Sequence, residues 1–163
     1  MADADGRRLS TQRLRLVPDR IDSESGAMLV LELLGDLAER YGAEDPDEPS
    51  PLDLAPPHGI FFVAWLDDDA IGCGGLRRYA DGVGEIKRMY TRASARRVGV
   101  GRTILAAVEH RALEVGYERL VLETGTKQPE AIELYRSFGY EPTEAYGQYR
   151  DYPASRCFTK RLR

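Results

Sequence analysis

Cysteine and histidine are scarce, with two of each in 163 residues. Cys73 and Cys157 are too few for a disulfide framework and too isolated for a zinc site; they suit a reducing compartment, so the cytoplasm is the expected location. His58 falls in a proline-rich stretch and His110 in mid-helix, and neither joins a constellation, so no metal is expected. No apolar run approaches the ~20 residues that span a bilayer. The opening "MADADGRRLSTQ" has no apolar stretch, and no secretory signal is expected there. A net charge of -4 argues against nucleic acid as a partner. There is no internal repeat.

Apolar residues make up 42% and charged residues 31% of the chain, which fits one soluble globular domain over 1–163. "RLRLVP" (13–18) alternates and ends in proline, the pattern of an edge strand. Ala27, Val30, Leu31, Leu34, Leu37, Ala38 and Tyr41 recur at a period of 3.6 and predict a helix over about 23–41. Residues 42–58 hold five of the nine prolines and five acids, with no lysine or arginine; they form a loop, either functional or a plain insertion. "GIFFVAWLDDDAIGCGGLRRY" reads as a hairpin, with strands 60–66 and 70–78 about a turn at 67–69. Gly72, Gly74 and Gly75 within its second strand predict a bulge or a close approach to another backbone. "DGVG" (81–84) turns the chain again, and "EIKRMYT" (85–91) is a third antiparallel strand. An apolar helical face of Val100, Ile104, Ala107, Val108, Ala112 and Val115 follows, capped by Gly116. "RLVLET" (119–124) is then a buried strand, and the intervening helix makes it parallel to 85–91. "PEAIELYRSFG" (129–139) is a second well-marked helix, and 155–162 a last strand.

The densest cluster of arginines surrounds two glycines. Arg92, Arg96, Arg97 and Arg102 lie within eleven residues, about "RRVGVG" (96–101) at the mouth of a helix. Unpaired N–H groups and a partial positive charge at a helix start bind anions, and glycine lets a ligand reach the backbone. The P-loop is excluded, because Gly101 is followed by Arg102-Thr103 and not by Lys-Ser/Thr. The dinucleotide fingerprint is excluded too, because its third glycine is replaced by Ile104. Arg/Gln-x-x-Gly-x-Gly/Ala matches in full.

That match, together with "EIKRMYT" before it and "QPEAIELYRSFGYEP" after it, resembles the GNAT superfamily of N-acetyltransferases, closely over about 60–142. The resemblance implies an α/β fold of the α+β type: a mixed, mostly antiparallel central sheet, helices on both faces, and a parallel strand pair that splays apart. It implies acetyl-CoA as co-substrate. Backbone groups of Met89, Tyr90 and Thr91 would pair with the pantetheine arm like an added strand. The N–H groups of Arg97, Val98, Gly99, Val100, Gly101 and Arg102, after Arg96, would hold the diphosphate. Gln128 stands where the family often has an asparagine that touches the cofactor, and its extra methylene puts that contact in question.

By the same resemblance Tyr135 is the candidate general acid for the departing thiolate, or else a packing residue of its helix. Glu85, fourteen residues before Gly99, is the candidate base, or else a strand carboxylate paired with Arg78 or Lys87. Glu123 is the second candidate base. A strand N–H of Met89 or Tyr90 would polarise the thioester carbonyl. The acceptor side comprises about 20–58 and 143–155, where Tyr146, Tyr149 and Tyr152 suit a small organic ligand. The acidic stretch 44–53 favours a cationic amine, whereas Arg77, Arg78 and Lys87 favour an amine that also bears a carboxylate. The expected reaction is direct acetyl transfer to a small amine or amino acid, in a monomer or a homodimer. The rivals are a protein lysine or N-terminal acetyltransferase and a non-catalytic acyl-CoA-binding module.

Overall fold

A computed structural model describes residues 13–43, 45–96 and 98–163. Its first strand, β1 (Leu14–Pro18), lies at one edge of the sheet, where a proline that donates no hydrogen bond is tolerated. Helix α1 (Glu24–Tyr41) begins at Ser23, whose hydroxyl accepts from the Gly26 N–H at 3.0 Å, and ends at Gly42 in the left-handed conformation, φ 67°. Strands β2 (Ile60–Leu66), β3 (Asp69–Ala80) and β4 (Val83–Thr91) form an antiparallel meander. β3 is longer than its apolar run suggests, because its exposed end continues pairing to a two-residue turn at Asp81–Gly82.

Helix α2 (Val100–Val115) returns the chain across the sheet to β5 (Arg119–Gly125). Helix α3 (Pro129–Ser137) stops before Gly139, which turns the chain at φ 89°. A three-residue strand β6 (Glu141–Thr143) and β7 (Ser155–Arg161) close the sheet, with a short 3-10 helix at Gly147–Asp151 between them. The strand order is β1-β2-β3-β4-β5-β7-β6, antiparallel everywhere except β4–β5.

Both faces of the sheet are covered, and β2 shows why. Ile60, Phe62, Ala64 and Leu66 pack into the cluster beneath α2 and α3, while Phe61, Val63 and Trp65 face Leu29 of α1 and Leu54 of the long loop. A strand apolar at every position must be buried on both sides. The glycine-rich stretch of β3 carries the expected bulge, and what comes close to Gly74 is side chains. Register shifts between Cys73 and Gly75, so that Arg88 and Met89 bulge out of β4, with Arg88 at φ 59°. A Cβ on Gly74 would collide with the Met89 sulfur and come within 2.6 Å of Ile104 Cγ2, so α2 reaches the sheet only where β3 carries no side chain.

Candidate functional site

The parallel strands touch over three rungs only. Val83, Gly84 and Glu85 pair with Arg119, Leu120 and Val121, and beyond Glu85 the two strands part. The gap opens into a cavity of about 950 Å³, walled by Ile86–Thr91 on one arm and Glu123–Gly125 on the other. Beyond the last rung these stretches of β4 and β5 have no strand partner in the gap, so their free N–H and C=O groups are available to a ligand laid between them.

At one end of the cavity lies the mouth of α2. Gly99, at φ 82°, is the N-cap, and Thr103 makes the first helical bond, to the Gly99 carbonyl at 3.0 Å. The N–H groups of Val100, Gly101 and Arg102 therefore precede the first helical bond. A Cβ on Gly99 would meet nothing within 4 Å, so the space before the helix is open, whereas Gly101 lies against Leu134 of α3. Arg96 donates Nε–H to the Thr91 carbonyl at 3.0 Å, and Arg102 reaches Ser137 Oγ at 3.0 Å while lying over the Phe138 ring. Open space, unpaired donors and flanking guanidinium groups form a cradle for a diphosphate.

The other end is a packed ionic network. Glu85, 1% exposed, accepts from Arg77 Nε at 2.7 Å and from the Tyr146 hydroxyl at 2.6 Å. Asp47 of the long loop pairs with Arg77 at 2.8 Å and with Lys87 at 2.7 Å, and Asp45 pairs with Arg88 at 2.6 Å. Lys87 also donates to the Tyr149 hydroxyl at 2.7 Å. Three carboxylates thus face three cations. Burial alone would raise Asp47, but the Lys87 hydrogen bond and the charges of Lys87 and Arg77 hold its carboxyl below the ordinary value. Burial alone would likewise lower Lys87, and Tyr149, Glu85 and Asp47 together hold it up.

Glu123 has no such cation. It accepts from Ser155 Oγ at 3.0 Å. Burial pushes its carboxyl up to about 7, with the charges of Asp45 and Glu85 adding to the rise and Ser155 and Lys87 opposing it. Tyr135 lines the same cavity, packed edge-on against Tyr140 at 5.8 Å; burial, and then Glu123, raise its phenol well above the ordinary value, so it keeps its proton at neutral pH. One cavity therefore contains a carboxyl that ionises near neutrality and a phenol that does not.

Residues 30–140 match the model of the acetyltransferase (GNAT) family. The chain belongs to the GNAT family. Among its relatives, it is 41% identical over 112 residues to the uncharacterized N-acetyltransferase YsnE of Bacillus subtilis, covering 67% of this chain and 74% of that one. It is 35% identical over 135 residues to the IAA acetyltransferase of Azospirillum brasilense, covering 82% and 88%. Its fold matches a GNAT family acetyltransferase from Elizabethkingia anophelis, solved with acetyl-CoA bound, at a TM-score of 0.66 and 20% identity over 91% of this chain and 97% of that one.

In this acyltransferase the residues singled out in sequence fall unevenly. Met89, Tyr90 and Thr91 line the cavity from β4, Arg96, Gly99, Val100, Gly101 and Arg102 from the helix mouth, and Gln128 and Tyr135 from the α3 side. Val98 is 62% exposed and does not line it, and Arg97 lies outside the described residues. The Gln128 amide oxygen accepts from the Tyr41 hydroxyl at 3.1 Å, and that hydroxyl in turn accepts the Lys127 N–H at 3.1 Å. Glu85 does not line the cavity, and its partner is Arg77 rather than Arg78 or Lys87. Arg78 turns outward to Asp81. Of the five acids of the long loop, Asp45 and Asp47 are already paired, with Arg88 and Lys87. Those pairs, and the Tyr146–Glu85 bond, join residues 30 or more apart in sequence, and no local pattern announces them.

Proposed function

We propose that this acetyltransferase moves an acetyl group from acetyl-CoA to a primary amine of a small molecule or amino acid by direct attack. The observation that carries the reading is the strand gap: two unpaired edges run from the open helix mouth to the Glu123–Tyr135 pair within one cavity. The domain is 1–163, with the donor-binding core over about 60–142.

Backbone groups of Met89, Tyr90 and Thr91 take the pantetheine amides as an added strand. The N–H groups of Gly99, Val100, Gly101 and Arg102 take the diphosphate, with Arg96, Arg97 and Val98 completing the loop, and Gln128 borders the arm. Acetyl-CoA supplies an activated thioester, and the chain supplies position and proton handling. Effective molarity from good orientation contributes roughly 7–11 kcal/mol. Glu123, rather than Glu85, accepts the amine proton, because its carboxyl titrates near the working pH and is not locked in an ion pair. Tyr135 donates its proton to the leaving sulfur and is reprotonated from solvent; overall an ammonium and a thioester give an amide, a thiol and a proton. The N–H of Met89 or Tyr90 polarises the carbonyl. The loop around Asp45 and the segment Tyr149–Ser155 cover the acceptor end, which suits a small acceptor better than a polypeptide. Two free, buried cysteines fit a cytoplasmic setting.

The test is free-thiol release from acetyl-CoA across a panel of amines, amino acids and peptides, alongside calorimetry with acetyl-CoA. We expect binding, turnover with a small amine, and at least a tenfold lower kcat in Tyr135→Phe at unchanged donor affinity. Absence of binding at millimolar acetyl-CoA would defeat the assignment.

A further inference from the structure

The acceptor end contains a cation that the network does not fully satisfy. Arg88 is 8% exposed, lines the cavity, and sits at the β4 bulge in a left-handed backbone conformation that a long side chain rarely adopts. Such a bulge re-aims a side chain beside an active site. One terminal nitrogen, Nη1, pairs with Asp45 Oδ2 and the other, Nη2, donates to the Asp47 carbonyl, but the Nε–H has no partner among the described residues. A guanidinium takes a carboxylate best through two parallel N–H bonds, and Asp45 makes one. Asp45 belongs to no helix or strand, and its other oxygen, Oδ1, accepts among the described residues only the Asp47 N–H, at 2.9 Å.

Resting on the reading of the cavity as the acetyl-transfer site, we propose that the acceptor is an amine bearing a carboxylate, which displaces Asp45 from Arg88 and engages the unused Nε–H. Asp45 is then a built-in stand-in for the acceptor's own carboxylate. It keeps a buried guanidinium paired while the site is empty, and it competes with the acceptor for it. The replacement exchanges one negative charge for another, so the balance of three anions and three cations survives binding. Lys87 stays neutralised by Asp47 and Tyr149. Glu123, Asp45 and Arg88 line the same cavity, so an acceptor whose carboxylate is held at Arg88 shares that space with the base. A purely cationic amine would gain nothing from Arg88 and would pay to enter beside it.

The test compares kcat/KM at saturating acetyl-CoA for L-amino acids and their carboxamides, with each value expressed per neutral amine because the carboxamide's amine is the weaker base. We expect the acid of each accepted pair to be preferred at least tenfold. Asp45→Asn should lower KM for the acids several-fold and raise the acid-to-amide ratio of kcat/KM; any shift in Glu123, whose carboxyl Asp45 raises, falls on both substrates alike and cancels in that ratio. Arg88→Met should bring the acid-to-amide ratio to about one; the wild-type comparison and Asp45→Asn stand even where that variant does not fold. Amides equal to or better than acids, a higher KM for both in Asp45→Asn, or turnover confined to amines without a carboxylate would each overturn the inference. So would failure to acetylate any carboxylate-bearing amine. In those cases acetyl-CoA binding by calorimetry leaves the acetyltransferase reading standing, and its absence removes that reading instead.

Discussion

Replacing Glu123 by glutamine tests the chemistry and the electrostatics together. Glutamine keeps the size and the oxygen that accepts from Ser155 Oγ, and removes only the ionisable proton. The carboxyl is raised from 4.5 to about 7, first by burial and then by the charges of Asp45 and Glu85. At about 1.4 kcal/mol per tenfold in proton affinity, that rise corresponds to about 3 kcal/mol, less whatever water in the cleft screens. Between pH 4.5 and 7 the folded chain holds this proton while the unfolded chain releases it. Stability therefore falls as pH rises through that window, and the full cost is present above it. Glu123→Gln should match the parent near pH 4 and exceed it at pH 8 by up to about 3 kcal/mol, at about 2–4 °C of melting midpoint per kcal/mol. The same variant should lose the rising limb of kcat/KM near pH 7, with a rate loss on the order of 10²–10⁴. Thermal denaturation and pH–rate profiles read the two effects. A limb that survives in Glu123→Gln, or a stability difference that does not close as pH falls, would refute the assignment of the base.

Glu85→Gln should keep a rising limb but move it to lower pH, because Glu85 lies outside the cavity in an ion pair with Arg77 and its charge helps raise Glu123. Removing its partner instead, by Arg77→Met, strands a buried carboxylate and should cost about 3–5 kcal/mol, read as a fall in the urea midpoint. Gly99→Glu places a side chain at φ 82° and a negative charge at the helix mouth; acetyl-CoA affinity should drop at least tenfold by calorimetry, while the fold bears a left-handed backbone strain of about 1–2 kcal/mol and no clash, since the new Cβ meets nothing within 4 Å. Gly84→Ala puts a methyl 2.8 Å from Tyr117 Cδ2, 2.9 Å from Leu76 Cδ1 and 3.0 Å from Leu120 Cδ2, and should destabilise by about 1–3 kcal/mol in chemical denaturation.

The architecture is legible in sequence wherever periodicity and punctuation agree. Ser23 and Gly42 bracket α1, Pro129 opens α3, and the apolar run of β2 marks a central strand. β6 escapes because three exposed residues carry no period, and its existence depends on β7 lying beside it. The Gly147–Asp151 turn escapes because its tyrosines serve distant partners, Tyr149 bonding Lys87 across 62 residues. The family resemblance favours Glu85 as base, yet Glu85 occupies the last closed rung between β4 and β5 and does not line the cavity. Glu123 stands two residues beyond the matching rung on β5, where the strands have parted. On the proposed reading, the end of that pairing selects the carboxylate that meets the substrate, and strand divergence leaves no mark in a linear pattern.

Three rungs are a slender seam for a seven-stranded sheet. On either side of it stand a four-strand and a three-strand half, clasped on one face by α2 and on the other by α1, whose Arg40 and Tyr41 grip Lys127, Gln128 and Glu130. The amides of Ile86–Thr91 and of Leu122–Gly125 are far apart in sequence but border the same crevice. Whatever fills that crevice bolts both halves at once, so occupancy will register as slowed deuterium uptake on the two arms together, and as tighter coupling between the opening of one half and the other.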